Sequence, residues 1–172
     1  MDLQELLDRE AIRDVIYRYC RACDRRDERL LRSVYHPEAT DNHGAFVGSA
    51  SEFVRYTVDT GGAGFIAGQH HIGNILIGLD GDVARVESVF ICHLVSSDQD
   101  ACQIEVLGGR YWDRMERRDG EWRIADRVVL LDWSELRRDI AEPARAKAFV
   151  QGQRSVSDAT YAVGGDRAAD RM

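Results

Sequence analysis

Asp24 stands where a helix is expected to bury apolar side chains, and a carboxylate in that place invites proton chemistry. The segment Leu6 to Arg26 sets Ile12, Val15, Ile16, Tyr19, Cys20 and Cys23 on one stripe at helical spacing. Arg13, Asp14, Arg18, Arg21 and Arg25 fall on the opposite face. Asp24 comes one turn beyond Cys20, at the edge of the apolar stripe and close to the expected helix end. Loss of hydration and the negative end of the helix dipole both disfavour a charged carboxylate there, unless a partner compensates. Histidine is a natural partner, and the adjacent pair His70-His71 offers candidates. A neutral imidazole accepts a proton near neutral pH, and a carboxylate on its other ring nitrogen fixes the tautomer and stabilises the imidazolium. Such a pair could take a proton from carbon. The alternative is a solvated helix-end acid pairing with Arg21 or Arg25.

The elements that must position these groups read as helices first and strands afterwards. Asp27 can cap a second short helix, Glu28 to His36, which Pro37 stops. An extended stretch, Thr40 to Val47, follows. Ser49-Ala50-Ser51-Glu52 has the form of a capping box for a third helix with Phe53, Val54 and Val58 on its apolar side, ended by Gly61, Gly62 and Gly64. From Gly68 the period shifts towards two, predicting strands at Gln69 to Leu79, Val83 to Val95, Cys102 to Glu116 and Trp122 to Trp133. Asp80-Gly81 and Arg118-Asp119-Gly120 supply tight hairpin turns, and Ser96 to Ala101 suits the remaining connection. Helices leading into an antiparallel meander predict an α+β domain in which a curved sheet wraps the helices. In the second long strand Ala84, Val86, Ser88, Phe90, Cys92 and Leu94 share the face expected to look inward. Val89 and Ile91 sit on the other face, and a second apolar sheet face predicts a contact between copies of the chain. No internal repeat or second domain is visible. Residues 1–134 read as the domain; residues 135–172 read as a charged helix running into a mobile tail at Val163-Gly164-Gly165-Asp166.

Composition narrows the class. A chain of 172 residues is most simply one domain, large enough for a core and a small-molecule pocket. Net charge is −7 with acidic and basic residues interleaved, which argues against a nucleic-acid or anionic-membrane surface. No apolar stretch approaches the roughly 18 residues of a membrane span, and the N-terminus, with Asp2, Glu5 and Asp8, is unlike a signal peptide. A cytoplasmic protein is therefore expected, with Cys20, Cys23, Cys92 and Cys102 reduced. Cys20 and Cys23 form a C-x-x-C inside a helix pattern, where redox or zinc chemistry is not expected.

The order of elements, with an acid ending the first helix and a histidine opening the sheet, resembles the SnoaL-like branch of the NTF2-like superfamily. The resemblance runs from about Leu6 to Trp133. It is carried by Ala11-Ile12-Arg13-Asp14, Tyr19 with Asp24, Tyr35-His36-Pro37-Glu38-Ala39, His71-x-Gly73-Asn74 and the hairpin from Gly109-Arg110-Tyr111 to Trp122-Arg123-Ile124. It implies a cone-shaped α+β barrel. The members it suggests are hexachlorocyclohexane dehydrochlorinases, bile-acid 7α-dehydratases and scytalone dehydratases, in which an Asp–His pair abstracts a proton. Asp24 then matches the family's acid, His71 its base, and Tyr19 a position taken by a catalytic tyrosine or lysine. Asp41 and His43 match pocket-lining positions; Cys92, Leu94 and Leu130 match pocket walls. The dehydrochlorinases' pocket arginine is replaced by Leu130, and the second acid of the bile-acid enzymes by Leu94. The phrase Tyr35 to Gly44 is also similar, more loosely, to sphingomonad lyases that release formaldehyde from lignin-derived aromatic dimers. The lyases it resembles imply a homotrimer, with a sheet-to-sheet dimer as the second expectation.

These readings predict a cofactor-independent lyase with His71 as base, Asp24 orienting it and Tyr19 donating a hydrogen bond to a leaving oxygen. A pocket walled by Phe90, Cys92, Leu94 and Leu130 suits a small, mostly apolar substrate with one or two oxygens. Asp41 and His43 could protonate the departing group or merely brace the helix layer. His70 is expected on the outward side of its strand, with His93 facing away from the pocket and His36 a surface or helix-capping residue. No metal and no organic cofactor is expected, since the candidate ligands lack metal-binding spacing and no glycine loop precedes a helix. An isomerase or cyclase using the same base, or a small-molecule-binding protein without turnover, are the alternatives.

Overall fold

The structure, a computed structural model, describes residues 2–60, 64–98, 101–138, 140 and 143–162. Helix α1 (Leu3–Arg25) starts on Asp2, whose carboxylate accepts the Glu5 N–H at 2.8 Å, and ends on Arg26 in a left-handed conformation. Its predicted apolar stripe, Ile12 to Cys23, is buried throughout. Asp8 ties the first turns to the far end of the sheet by accepting from Trp122 Nε1 and Arg117 Nη1, each at 2.9 Å. Asp27 caps α2 (Glu28–Ser33) at the Leu30 N–H. This helix is shorter than expected. Tyr35 and His36 instead open β1 (Tyr35–Asn42), where Tyr35 pairs with Ile124. Pro37, which has no N–H to give a ladder, sits where the β1 register shifts. After β2 (Val47–Ser49), the capping box of Ser49 and Glu52 forms as expected and starts α3 (Ala50–Arg55), which runs into one π turn, Tyr56–Thr60. Gly61 and Gly62, expected to end the helix, lie outside the described residues.

The four long strands are β3 (Phe65–Asp80), β4 (Val83–Asp98), β5 (Ala101–Arg118) and β6 (Glu121–Arg137). The sheet order is β2-β1-β6-β5-β4-β3, antiparallel except where β1 runs alongside β6. The α+β arrangement is the expected one, but the sheet is curved and open, with β2 and β3 as its edges. Helix α1 packs on β3 and β6 and α3 on β1, so the helices fill the concave side. Glu135, Leu136 and Arg137 are strand, paired with Val106, Glu105 and Ile104, which corrects the helix expected from residue 135. The chain then makes a 3-10 turn, Ala144–Ala148, and returns as an irregular strap ending in a short helix α4, Ala159–Ala162. The expected mobile stretch Val163 to Asp166 lies outside the described residues. Among the described residues no helix is long and apolar enough to cross a membrane.

Register shifts decide which side chains reach the interior. Ile75, Ile77 and Leu79 pair with the inward-facing Ser88, Val86 and Ala84, and counting back by twos would bring His71 inside. The register slips by one between Ile72 and Ile75, so Ile72 pairs with Phe90 and His70 with Cys92. His70 therefore faces inward and His71 outward. In β6 the pairs Ile124–Met115 and Asp126–Arg114 leave Ala125 as an extra residue. The inward positions become Arg127, Val129 and Leu131, and Leu130 turns out. On the outer face Val89 and Ile91 are each 37% exposed, beside Trp112, Leu130 and Trp133. Trp133 lies over Gly108, where a Cβ would come within 2.1 Å of the indole.

At the base of the concave face Arg127 is wholly buried. Its Nε and Nη2 each donate to Asp113 at 2.7 Å, and its guanidinium lies 4.0 Å from the Tyr19 ring centre and 4.3 Å from that of Tyr111. Asp113 and Arg127 are direct cross-strand partners, so the pair also pins the β5–β6 register. Asp113→Ala leaves a buried cation without its counter-ion and is expected to cost about 3–5 kcal/mol of stability. Urea unfolding measures it; a loss below about 1 kcal/mol would contradict this role.

Candidate active site

A cavity of about 420 Å³ opens between α1, α3 and the concave face of the sheet. Its walls are mostly apolar: Phe53, Phe65, Phe90, Leu94, Leu107, Val129 and Leu131, with Tyr19, Tyr56 and Tyr111. Phe90 stacks on Tyr111 with ring centres 4.4 Å apart. Phe90, Cys92 and Leu94 line the cavity as the inward face of β4 predicts. Leu130 does not; the extra residue at Ala125 gives its place to Val129 and Leu131.

Two imidazoles reach this cavity, each backed by a carboxylate. His70 Nδ1 lies 2.6 Å from Asp24 Oδ1, and the His70 backbone N–H donates to Asp24 Oδ2 at 3.0 Å. The carboxylate thus holds ring and backbone of one residue together. Asp24 stands behind His70, in a separate groove with Tyr17, Arg21 and Arg25, which leaves the opposite edge of the ring towards the cavity and Cys92. Burial alone would lower the His70 pKa, but the hydrogen bonds with Asp24 and Cys92 outweigh it and push it up to about 10. At neutral pH His70 rests as an imidazolium. The partners considered for Asp24 in its alternative reading are engaged elsewhere. Arg25 lies 3.6 Å from Asp158, and Arg21 covers the Tyr161 ring at 4.4 Å.

The second imidazole is His43, whose Nδ1 lies 2.9 Å from Asp41 Oδ1. Asp41 is buried, does not line the cavity, and accepts the Tyr35 hydroxyl on Oδ2 at 2.5 Å. His43 stacks on Phe53, ring centres 4.6 Å apart, with its side chain 27% exposed. Tyr19 sits between the two pairs, its ring edge-on to those of His70, Tyr35 and Tyr111 and under the Arg127 cation. Burial pushes the Tyr19 hydroxyl well above the usual phenol pKa, so it remains a proton-bearing donor.

His71, expected as the partner of Asp24, is instead on the outer face, its ring 5.6 Å from that of His93. The slip between Ile72 and Ile75 is the reason, and it exchanges the faces expected of the two adjacent histidines. His36, expected at the surface or as a helix cap, is buried in β1 and bonds the Glu116 carbonyl oxygen at 3.0 Å. Residue patterns overlooked Tyr111, Asp113 and Arg127. A usable signal was present: Tyr111-x-Asp113-x-Met115 and Arg127-x-Val129 place opposite charges at inward positions of facing strands. Arg154, from the strap, also lines the cavity. Among the described residues no group of three or more His, Cys, Asp or Glu side chains is gathered to hold a metal ion.

Comparison with known proteins agrees with this architecture. The model of the SnoaL-like domain matches residues 4–128. Comparison with curated proteins returns no match. Among solved structures, a hexachlorocyclohexane dehydrochlorinase of type 3 from Novosphingobium barchaimii is similar with a TM-score of 0.73 at 19% identity, covering 83% of this chain and 100% of that one. A candidate scytalone dehydratase from Novosphingobium aromaticivorans gives 0.67 at 21% identity, covering 81% and 92%. An NTF2-like superfamily protein from Salmonella enterica gives 0.63 at 21%, covering 70% and 87%. At these identities the likeness establishes an NTF2-like fold, while the match over residues 4–128 establishes the family: this chain belongs to the SnoaL-like domain family.

Proposed function

We propose that this chain is a cofactor-independent lyase that eliminates water, or formaldehyde from a hydroxymethyl group, from a small aromatic or alicyclic substrate. The observation that carries the reading is the presence of two carboxylate-backed imidazoles on one apolar cavity. An elimination needs one group to accept a proton from carbon and another to give one to the leaving oxygen. His70, resting as imidazolium, is the donor. The leaving oxygen docks beside it, with the Tyr19 hydroxyl as a second donor. His43, with Nδ1 occupied by Asp41, accepts the C–H proton at Nε2. For loss of water, the C–H electron pair becomes the new double bond as the C–O bond breaks, and the oxygen leaves as water with the proton of His70. For loss of formaldehyde, His43 takes the hydroxymethyl O–H proton instead, the O–H pair forms the carbonyl of formaldehyde, the broken C–C bond supplies the new double bond, and an oxygen on the adjacent carbon leaves with the proton of His70.

A second reading makes His70 the base, favoured by the strength with which Asp24 stabilises its protonated form. The pH profile separates the two. With His70 as acid, activity falls as pH rises through about 10, where the proton is lost; with His70 as base, activity climbs towards that pH. The test is a panel of aromatic and alicyclic β-hydroxy carbonyl compounds, followed by absorbance of the new double bond. His70→Ala is expected to lower turnover roughly 10²–10⁴-fold, and His71→Ala to leave it within about threefold. The reverse pattern would reject the site. Binding across the panel without turnover would favour a small-molecule-binding protein.

The outer sheet face supports a homo-oligomer, a trimer in the first instance and a dimer in the second. Val89 and Ile91, with Trp112 and Trp133, give it an apolar surface of the kind a second copy covers. Light scattering at micromolar concentration is expected to give about three times 19.4 kDa, reduced by Ile91→Asp. A mass of one chain across the dilution range would reject assembly.

A further inference from the structure

The strap between Gln151 and Ala162 crosses back to the end of α1 and is fastened there by several independent contacts. The Tyr161 hydroxyl donates to Asp27 Oδ2 at 2.9 Å, and Arg21 lies over the Tyr161 ring. Asp158 is buried, faces Arg25 at 3.6 Å and accepts the backbone N–H groups of Gln153 and Thr160. These contacts hold Arg154 against the cavity, where its Nη1 donates to the Phe65 carbonyl oxygen at 3.3 Å.

The place it occupies is specific. A Cβ at Gly68 would be 3.5 Å from Arg154 Nε, 3.5 Å from Asp24 Oδ1 and 3.5 Å from Leu94 Cδ2. The side chain of Arg154 therefore passes over Gly68 of β3, two residues from His70, where Asp24 and Leu94 also approach. Asp24 is already committed to His70 through both oxygens. Burial acts against the Arg154 charge and Arg26 adds repulsion; Cys23, Asp24 and Cys92 oppose these effects. Glu105 lies on the same cavity wall, on β5. An oxyanion on the apolar-bodied guest gains a charge-assisted interaction with the guanidinium in a site partly removed from water.

We infer that the strap completes the cavity with Arg154 as a specificity-determining cation that selects apolar-bodied substrates bearing a carboxylate or comparable oxyanion. The inference rests on the proposed lyase reading for the word substrate, but its test is binding and needs no turnover. The probes are 2-naphthoate and its neutral analogue 2-naphthamide, titrated calorimetrically into the full chain. Wild type is expected to bind naphthoate roughly tenfold or more tightly than naphthamide. Arg154→Met is expected to reduce that preference to less than about threefold with naphthamide affinity unchanged, and Arg154→Lys to keep part of it. Equal affinities in wild type, or an equal loss for both probes in Arg154→Met, would overturn the inference and leave Arg154 as a fastener of the strap. A preference that survives Arg154→Met and vanishes in His70→Ala would overturn it too, assigning the anion to the imidazolium. Failure of the lyase reading looks different: no turnover by wild type, with the Arg154-dependent preference intact.

Discussion

A guanidinium shut away from water has to be given back what water supplied, and in this chain that need organises the floor of the cavity. Arg127 donates two hydrogen bonds to Asp113 and lies against the faces of Tyr19 and Tyr111. Removing any one partner leaves a charge exposed to a poorly polarisable interior. Asp113 can meet Arg127 only if β5 and β6 keep their register, and Tyr19 can meet it only if α1 seats fully on the sheet. The cation therefore couples helix placement, strand register and the orientation of the tyrosine that borders both imidazoles. Tyr111 extends the same constraint to Phe90, which stacks on it and forms the adjacent wall.

On that floor, the two imidazoles differ in what stands behind each. Asp24 grips His70 at ring and backbone together, so the ring can neither rotate away nor easily lose its proton. Asp41 supports His43 but shares itself with the Tyr35 hydroxyl. Two carboxylate–imidazole pairs with different surroundings are the kind of asymmetry that lets one site both give and take a proton. The strap adds a third polar element from the other end of the chain. Its position over Gly68 gives the cavity one cationic corner among apolar walls.

Much of this was legible in the residues. The stripe of α1, the caps at Asp27 and Ser49, the hairpin turns and the inward face of β4 all follow local rules of period and capping that the structure obeys. Asp24, Tyr19, His43, Phe90 and Cys92 were placed by the same rules together with the family resemblance. What failed were positions beyond a register slip. Periodicity carries a face along a strand only until an extra residue intervenes, and nothing in Gly73-Asn74 or Ala125 fixes by itself which residue will be extra. His71 and Leu130 were lost in that way, and His70 and Leu131 gained. Arg154 was out of reach for another reason: its place depends on long-range contacts of Asp158 and Tyr161 with α1 that no local pattern encodes.

Asp24 holds His70, and not its neighbour, at ring and backbone, and so favours its imidazolium form on the cavity side. The most direct test is a ring-nitrogen NMR titration of the assigned histidines in wild type and in Asp24→Asn. His70 is expected to hold its proton to about pH 10 in wild type and to lose it at distinctly lower pH when the carboxylate is removed. A wild-type His70 that titrates near 6.5 and does not respond to Asp24→Asn would contradict it, as would a substitution whose effect falls on His71 instead.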